Sequence, residues 1–274
     1  MRTITSVLVA VAVLFLPAVC AWATPDDTFH IDNYAAVLQA VVGEDGTVDY
    51  TALAAHPERL REFLASIDLL TADTYGAWDE VARVAFWINA YNALTLALIV
   101  EHYPIVGKAG EYPSSSIRQI AGAWDTISFP VMGEQMTLDH IENAILRGEF
   151  GEPRIHMALV CAARSCPPLR REPYAGPDLD AQLDAQTRRF LASPHGFAVD
   201  RDAGVVRLSA IFDWFAHDFV EEYGRAPGRF DTPRQAVINF VGRYVSDAHR
   251  AYLETDAYRV EYLEYDWTLN ERAQ

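Results

Sequence analysis

One stretch constrains the fold of this chain more than any other. From Val81 to His102 apolar residues run without a polar side: Phe86, Trp87, Ile88, Tyr91, Leu94, Leu96, Leu98, Ile99 and Val100, with Pro104 closing the run. The length and the absence of glycine or proline inside it predict a helix, and a helix apolar all round belongs at the centre of a core. Asn89 and Asn92 interrupt it, three residues apart and so on one side. A buried amide left unbonded costs about 1–3 kcal/mol. Both asparagines are therefore expected to bond the backbone of a loop packed on this helix.

The other segments arrange themselves around that helix. Helical periods recur at Tyr34–Val42, after His56-Pro57, from Thr137 to Arg147 with Ile141, Ile145 and Leu146 inward, from Pro177, after Ser209, and from a capping box at Thr232-Pro233-Arg234-Gln235. Hairpins are predicted around Gly133 (Phe129 to Met136) and at Asp202-Ala203-Gly204 (Phe197 to Leu208). Arg154 to Cys161 reads as a central strand apolar on both faces, and Val260 to Leu269 as a last strand. Pro167-Pro168 ends the loop that follows Cys161. Trp214 and Phe215 fall at helical core spacing and call for no ligand. The sum is an α+β fold, mostly helical, one domain over residues 24–274 with a small β-sheet.

The N-terminus predicts export. Arg2, the apolar run Val7 to Val19 and the small residues of Ala21-Trp22-Ala23 form the three parts of a signal peptide over residues 1–23, cleaved after Ala23. A retained anchor and a lipid attached at Cys20 are the alternatives. The protein is then periplasmic or secreted, and no later segment spans a membrane. Removing Arg2 takes the formal charge from −16 to −17. That charge and the lack of a basic stripe exclude nucleic acid and anionic lipid surfaces as partners, leaving a peptide or protein partner of unknown identity.

Of three cysteines, Cys20, Cys161 and Cys166, the first leaves with the signal. The remaining pair lies five positions apart in a compartment that oxidises thiols. A disulfide between them is one reading. A second makes Cys161 a thiolate nucleophile, with Arg164 lowering its pKa; a redox pair or a metal ligand is a third. His156 is the natural base for such a nucleophile, although side chains five apart on a regular strand point to opposite faces. The plainer reading of His156 is a core histidine bonded to Asn89, Asn92 or Glu142. No metal motif, glycine-rich phosphate cradle or G-x-S-x-G elbow is present, so neither metal nor cofactor is expected.

Several segments together carry a resemblance. They are Phe86-Trp87-Ile88-Asn89-Ala90-Tyr91-Asn92-Ala93-Leu94-Thr95, Thr137-Leu138-Asp139 with Ile141-Glu142, and Arg154-Ile155-His156-Met157-Ala158-Leu159-Val160-Cys161 with Ser165-Cys166-Pro167. The closing Tyr265-Asp266-Trp267-Thr268-Leu269-Asn270 also fits. In this order the chain resembles the domain-of-unknown-function 547 family over roughly residues 48–270, with Asn143 where that family often has histidine. The family implies a fold and no settled activity. Two functions remain open: a disulfide-buttressed binding or assembly module, or a papain- or transglutaminase-like cysteine hydrolase or acyl-transferase acting on peptide or amide bonds. In the second, Cys161 attacks, His156 is the base, and Asn89, Asn92 and Glu142 support them.

Overall fold

A computed structural model describes residues 31–225, 228–255 and 257–272. Residues 1–23, where an export signal is expected, and Cys20 with them lie outside the described residues. Five helices open the chain: α1 Ile31–Val41, α2 Tyr50–Ala55, α3 Glu58–Leu69, α4 Ala72–Gly76 and α5 Glu80–His102. α5 is the central helix the sequence predicts. Asp79 caps its first turn by accepting from the Ala82 amide, and every residue from Val84 to Ile99 is buried. By length and composition α5 could cross a membrane, but its apolar surface is spent on the core.

Strands β1 (Ser128–Val131) and β2 (Glu134–Thr137) form the first hairpin. Its turn residues Met132 and Gly133 both have positive φ, the backbone that a two-residue hairpin needs. A π-helix, His140–Phe150, and a short 3-10 helix, Pro153–Met157, follow. Next come α6 (Leu179–Leu191), β3 (Phe197–Asp200), β4 (Val205–Leu208), α7 (Ile211–Trp214), α8 (Val220–Tyr223), α9 (Thr232–Tyr244), α10 (Asp247–Leu253) and β5 (Arg259–Tyr262). β3 pairs antiparallel with β4, and β4 parallel with β5. The fold is α+β and mostly helical, with a two-stranded and a three-stranded sheet.

Three local expectations need correction. Arg154 to Cys161 is not a strand. Glu152 caps the 3-10 helix through the Arg154 amide, Pro153 opens it, and the chain then extends without joining a sheet. A run that is apolar on all sides reads alike as a buried strand or a buried helical turn. The last strand ends at Tyr262, well short of Leu269, which makes only an isolated bridge to Ala163. The cap of α9 is Asp231, one residue before Thr232.

Two apolar clusters share the interior. The first gathers α1 to α5, the β1–β2 hairpin, the π-helix and the start of α6 (Leu179, Leu183); the second gathers the end of α6 (Phe190, Leu191), α7 to α10 and the three-stranded sheet. The 3-10 helix lies between them: Ile155 packs in the first and Met157 in the second. His156 sits between those two anchors.

Candidate functional site

The asparagines of α5 act on loops. Asn89 Nδ2 donates to the Tyr174 carbonyl at 2.8 Å, and its Oδ1 accepts from the Tyr174 amide at 2.9 Å. Asn92 Nδ2 donates to the Ala158 carbonyl at 3.0 Å, and its Oδ1 accepts from the Val160 amide at 2.8 Å. Each amide thus gives one backbone residue or segment the pair of bonds a neighbouring strand would have supplied. The Asn92 clamp fixes the extended segment that delivers Cys161. Neither asparagine lines the cleft into which that segment opens.

That cleft, about 230 Å³, is lined among others by Cys161, Cys166, His156 and Glu142. The sulfurs of Cys161 and Cys166 are joined, with Cα atoms 6.1 Å apart. Cys161 is half-buried and Cys166 buried. Ala162, directly after Cys161, has φ of 59°, a left-handed conformation unusual for a residue with a Cβ. Tail contacts hold the loop there. The Asn270 amide donates to the Ala162 carbonyl at 2.9 Å, the Arg164 amide to the Thr268 carbonyl at 2.8 Å, and the Asp266 amide to Ser165 Oγ at 2.8 Å. The tail also brings Tyr265, whose hydroxyl lies 3.2 Å from Cys161 Sγ. A disulfide sulfur carries no hydrogen, so the phenol donates. Burial first, and the neighbouring Glu142 second, push the Tyr265 pKa up and keep that proton on.

His156 is buried and bonded, as a core histidine should be, but its partner is not Asn89, Asn92 or Glu142. Nε2 donates to Asp218 Oδ2 at 2.7 Å. Arg147 grips the same carboxylate with Nε at 2.6 Å and Nη2 at 2.9 Å. Burial alone would raise the Asp218 pKa; bonds from Arg147 and His156, and their charges, outweigh it and hold the carboxyl well below its usual range. Phe215 stacks on the imidazole at 4.1 Å between ring centres, 19° from parallel. The ring is thereby fixed in plane and direction. With Nε2 occupied by Asp218, Nδ1 is the nitrogen left to serve a group in the cleft.

Glu142 accepts from the Tyr91 hydroxyl at 3.1 Å. Burial raises its pKa, opposed by His156, by the Tyr91 bond and by Arg147. Asn143, where a histidine often stands in the resembled family, faces the cleft, donates to Asp139 Oδ1 at 2.7 Å and accepts from Arg147. Among the described residues no group of three histidines, cysteines or carboxylates is placed to hold a metal ion.

Of the residues named from sequence, Cys161, Cys166, His156 and Glu142 line one cleft, with no hydrogen bond between His156 and either sulfur, while Asn89 and Asn92 stay behind as clamps. Asp218 was not legible, because nothing in a surface acid between Phe215 and Phe219 marks it. The aromatic wall was missed as well. Trp214 is 49% exposed rather than core, and it stacks on Trp267 at 6.0 Å beside Tyr265 and Trp124. The tryptophan of the tail motif was the one available signal.

Residues 75–191 match the family model described as "Protein of unknown function, DUF547". The match includes α5, the π-helix and both cysteines. No curated protein and no solved structure matches the chain.

Proposed function

We propose that this member of the domain-of-unknown-function 547 family is a cysteine-dependent hydrolase or acyl-transferase of peptide or amide bonds in the cell envelope. It is silent while Cys161 and Cys166 are joined and active once a thiol reductant opens them. The observation that carries the reading is the presence, on one cleft, of Cys161 and of a histidine whose Nε2 is held by a carboxylate. That is the order of roles in thiol hydrolases: nucleophile, base, orienting acid.

Two reducing thiols convert the disulfide to the dithiol and leave as their own disulfide. The Cys161 proton then passes to His156 Nδ1, and Asp218 stabilises the imidazolium that results. The thiolate attacks the acyl carbon, its electron pair forming the carbon–sulfur bond while the carbonyl π pair moves to oxygen. Collapse expels the amine, which takes the proton from His156. Water, or an acceptor amine, releases the acyl group and restores the thiol. Asn92 is a positioning residue, since it acts through the segment bearing Cys161.

The disulfide itself supports a second reading, a binding or assembly module in which the closed pair braces an aromatic cleft. Selective alkylation separates the two. After reduction the hydrolase reading expects Cys161 to react with iodoacetamide much faster than buried Cys166, with His156→Ala and Asp218→Asn slowing Cys161 alone. Equal, slow alkylation of both thiols, unaffected by these changes, would leave the binding module standing. Envelope location is tested by the intact mass of the recovered protein, which should begin after Ala23.

A further inference from the structure

The chain carries 38 acidic residues against 22 lysines and arginines, so an arginine beside the cleft has many carboxylates to choose from. Arg147 takes Asp218, and Arg154 takes Glu152, Asp180 and Asp184. Arg118 takes none: among the described residues no carboxylate oxygen lies within 4.0 Å of its guanidinium. It stands on a 3-10 turn, Ile117–Gln119, which is anchored by fully buried Ile117 and capped by Ser116.

Aromatic rings take the place of a counter-ion. The guanidinium carbon is 4.8 Å from the ring centre of Tyr112, 5.0 Å from Trp267 and 5.5 Å from Trp124. Nη2 also donates to the Tyr112 hydroxyl at 2.8 Å. That is its one side-chain hydrogen bond among the described residues, out of five N–H donors. The rings hold the exposed fork in place without neutralising it, and its remaining donors stay open to solvent and ligand. Arg118, Cys161 and His156 line the same cleft, so the charge faces the reactive sulfur's own surroundings.

We propose that Arg118 is a substrate-binding residue that receives a carboxylate, and that the substrate is a short peptide or amide bearing one carboxylate near the reacting bond. A rigid fork with open donors matches a carboxylate in two parallel bonds. Asp139 and Glu142 on the same cleft disfavour a doubly charged phosphate, and Trp214 and Trp267 offer flat faces to the apolar part of the ligand. The carboxylate can come from a peptide C-terminus or from an acidic side chain. That the ligand is a substrate rests on the hydrolase reading above; the binding does not.

Calorimetry on the disulfide-closed protein at pH 7 tests the binding apart from the chemistry. The probes are acetyl-Ala-Ala as the free acid, the same dipeptide as its amide, and acetyl-Glu-Ala amide. The free acid or the glutamyl amide, or both, should bind about tenfold or more tightly than the uncharged amide. Tight binding of the acid alone assigns the site to a C-terminus, and tight binding of the glutamyl amide to a side chain. Arg118→Gln should abolish the preference, and Arg118→Lys, which keeps the charge and loses the fork, should retain part of it. Equal affinity of charged and uncharged probes for the unmodified protein, or no binding of any probe, overturns the proposal even if the variants fail to fold. A preference that survives Arg118→Gln in folded protein overturns it too. Discrimination without turnover after reduction would sink the hydrolase reading and leave the carboxylate site.

Discussion

Replacing Asn92 by leucine removes both halves of a clamp. The Ala158 carbonyl and the Val160 amide lose their partner, and both residues are buried, 1% and 4% exposed. Orphaning two such groups destabilises by about 2–6 kcal/mol. Leucine is the better helix former and adds apolar surface, returning about 1–2 kcal/mol. At the centres of these ranges a net loss of about 2.5 kcal/mol follows, which at an m-value near 3 kcal/mol/M moves the urea midpoint down by roughly 0.8 M. Asn89→Leu is the matched control. It orphans Tyr174 in the same way, but at a site that does not hold the segment bearing Cys161. Both variants should lose stability, and only Asn92→Leu should change the alkylation rate of Cys161 in reduced protein. An Asn92→Leu midpoint within 0.1 M of the parent would refute the clamp, because no other group described replaces those two bonds. Equal effects of the two variants on Cys161 would refute its local character.

Further expectations concern charge and backbone. The Asp218 carboxyl has a folded pKa below its unfolded value, so its stabilisation is present above about pH 4 and fades as pH falls toward the folded value. Asp218→Asn should therefore lower the melting temperature at pH 6–7, with the gap to the parent narrowing below pH 4. Glu142 is shifted the other way by burial, so its charged form weakens the fold above the unfolded pKa near 4.5. Glu142→Gln should raise the melting temperature at pH 7–8 and leave it unchanged at pH 4; a uniform change at both pH values would contradict this. Gly46 has φ of +85°, and a Cβ there would sit 2.4 Å from Pro168 Cβ and 2.9 Å from the Leu169 amide nitrogen. Gly46→Ala should lose more than about 1 kcal/mol in urea denaturation.

What was legible in the sequence followed from burial arithmetic. An all-round apolar run had to be the central helix, and the two asparagines inside it had to find backbone partners; both hold. The two hairpins followed from turn chemistry at Gly133 and Gly204. The segment from Arg154 to Cys161 misled because its apolar character is satisfied equally by a sheet or by a short helix between two cores. The decisive variables, the proline at 153 and the amide of Asn92, act from outside the run. With the strand gone, the alternation rule that set His156 against Cys161 no longer applies, and both side chains reach one cleft. Asp218 and Arg118 escaped for a different reason. Their significance is relational, one lying 62 residues from its histidine and the other defined by the absence of an acid.

The tail has a consequence for the order in which the molecule can be completed. Residues 265–272 supply Tyr265 and Trp267 to the cleft and hold the loop after Cys161. They also pair with the beginning of the described chain, the Val48 amide donating to the Asn270 carbonyl and the Arg272 amide to the Val48 carbonyl, both at 2.9 Å. A chain emerging from its N-terminus presents its cysteines about a hundred residues before the segment that braces them. The first helices can collapse on α5 during synthesis, as early-made segments do. The cleft cannot assemble until Asn270 arrives, so the two thiols leave the ribosome long before they have a wall to face. A nascent chain stalled before Tyr265 would carry both cysteines with no cleft wall around them.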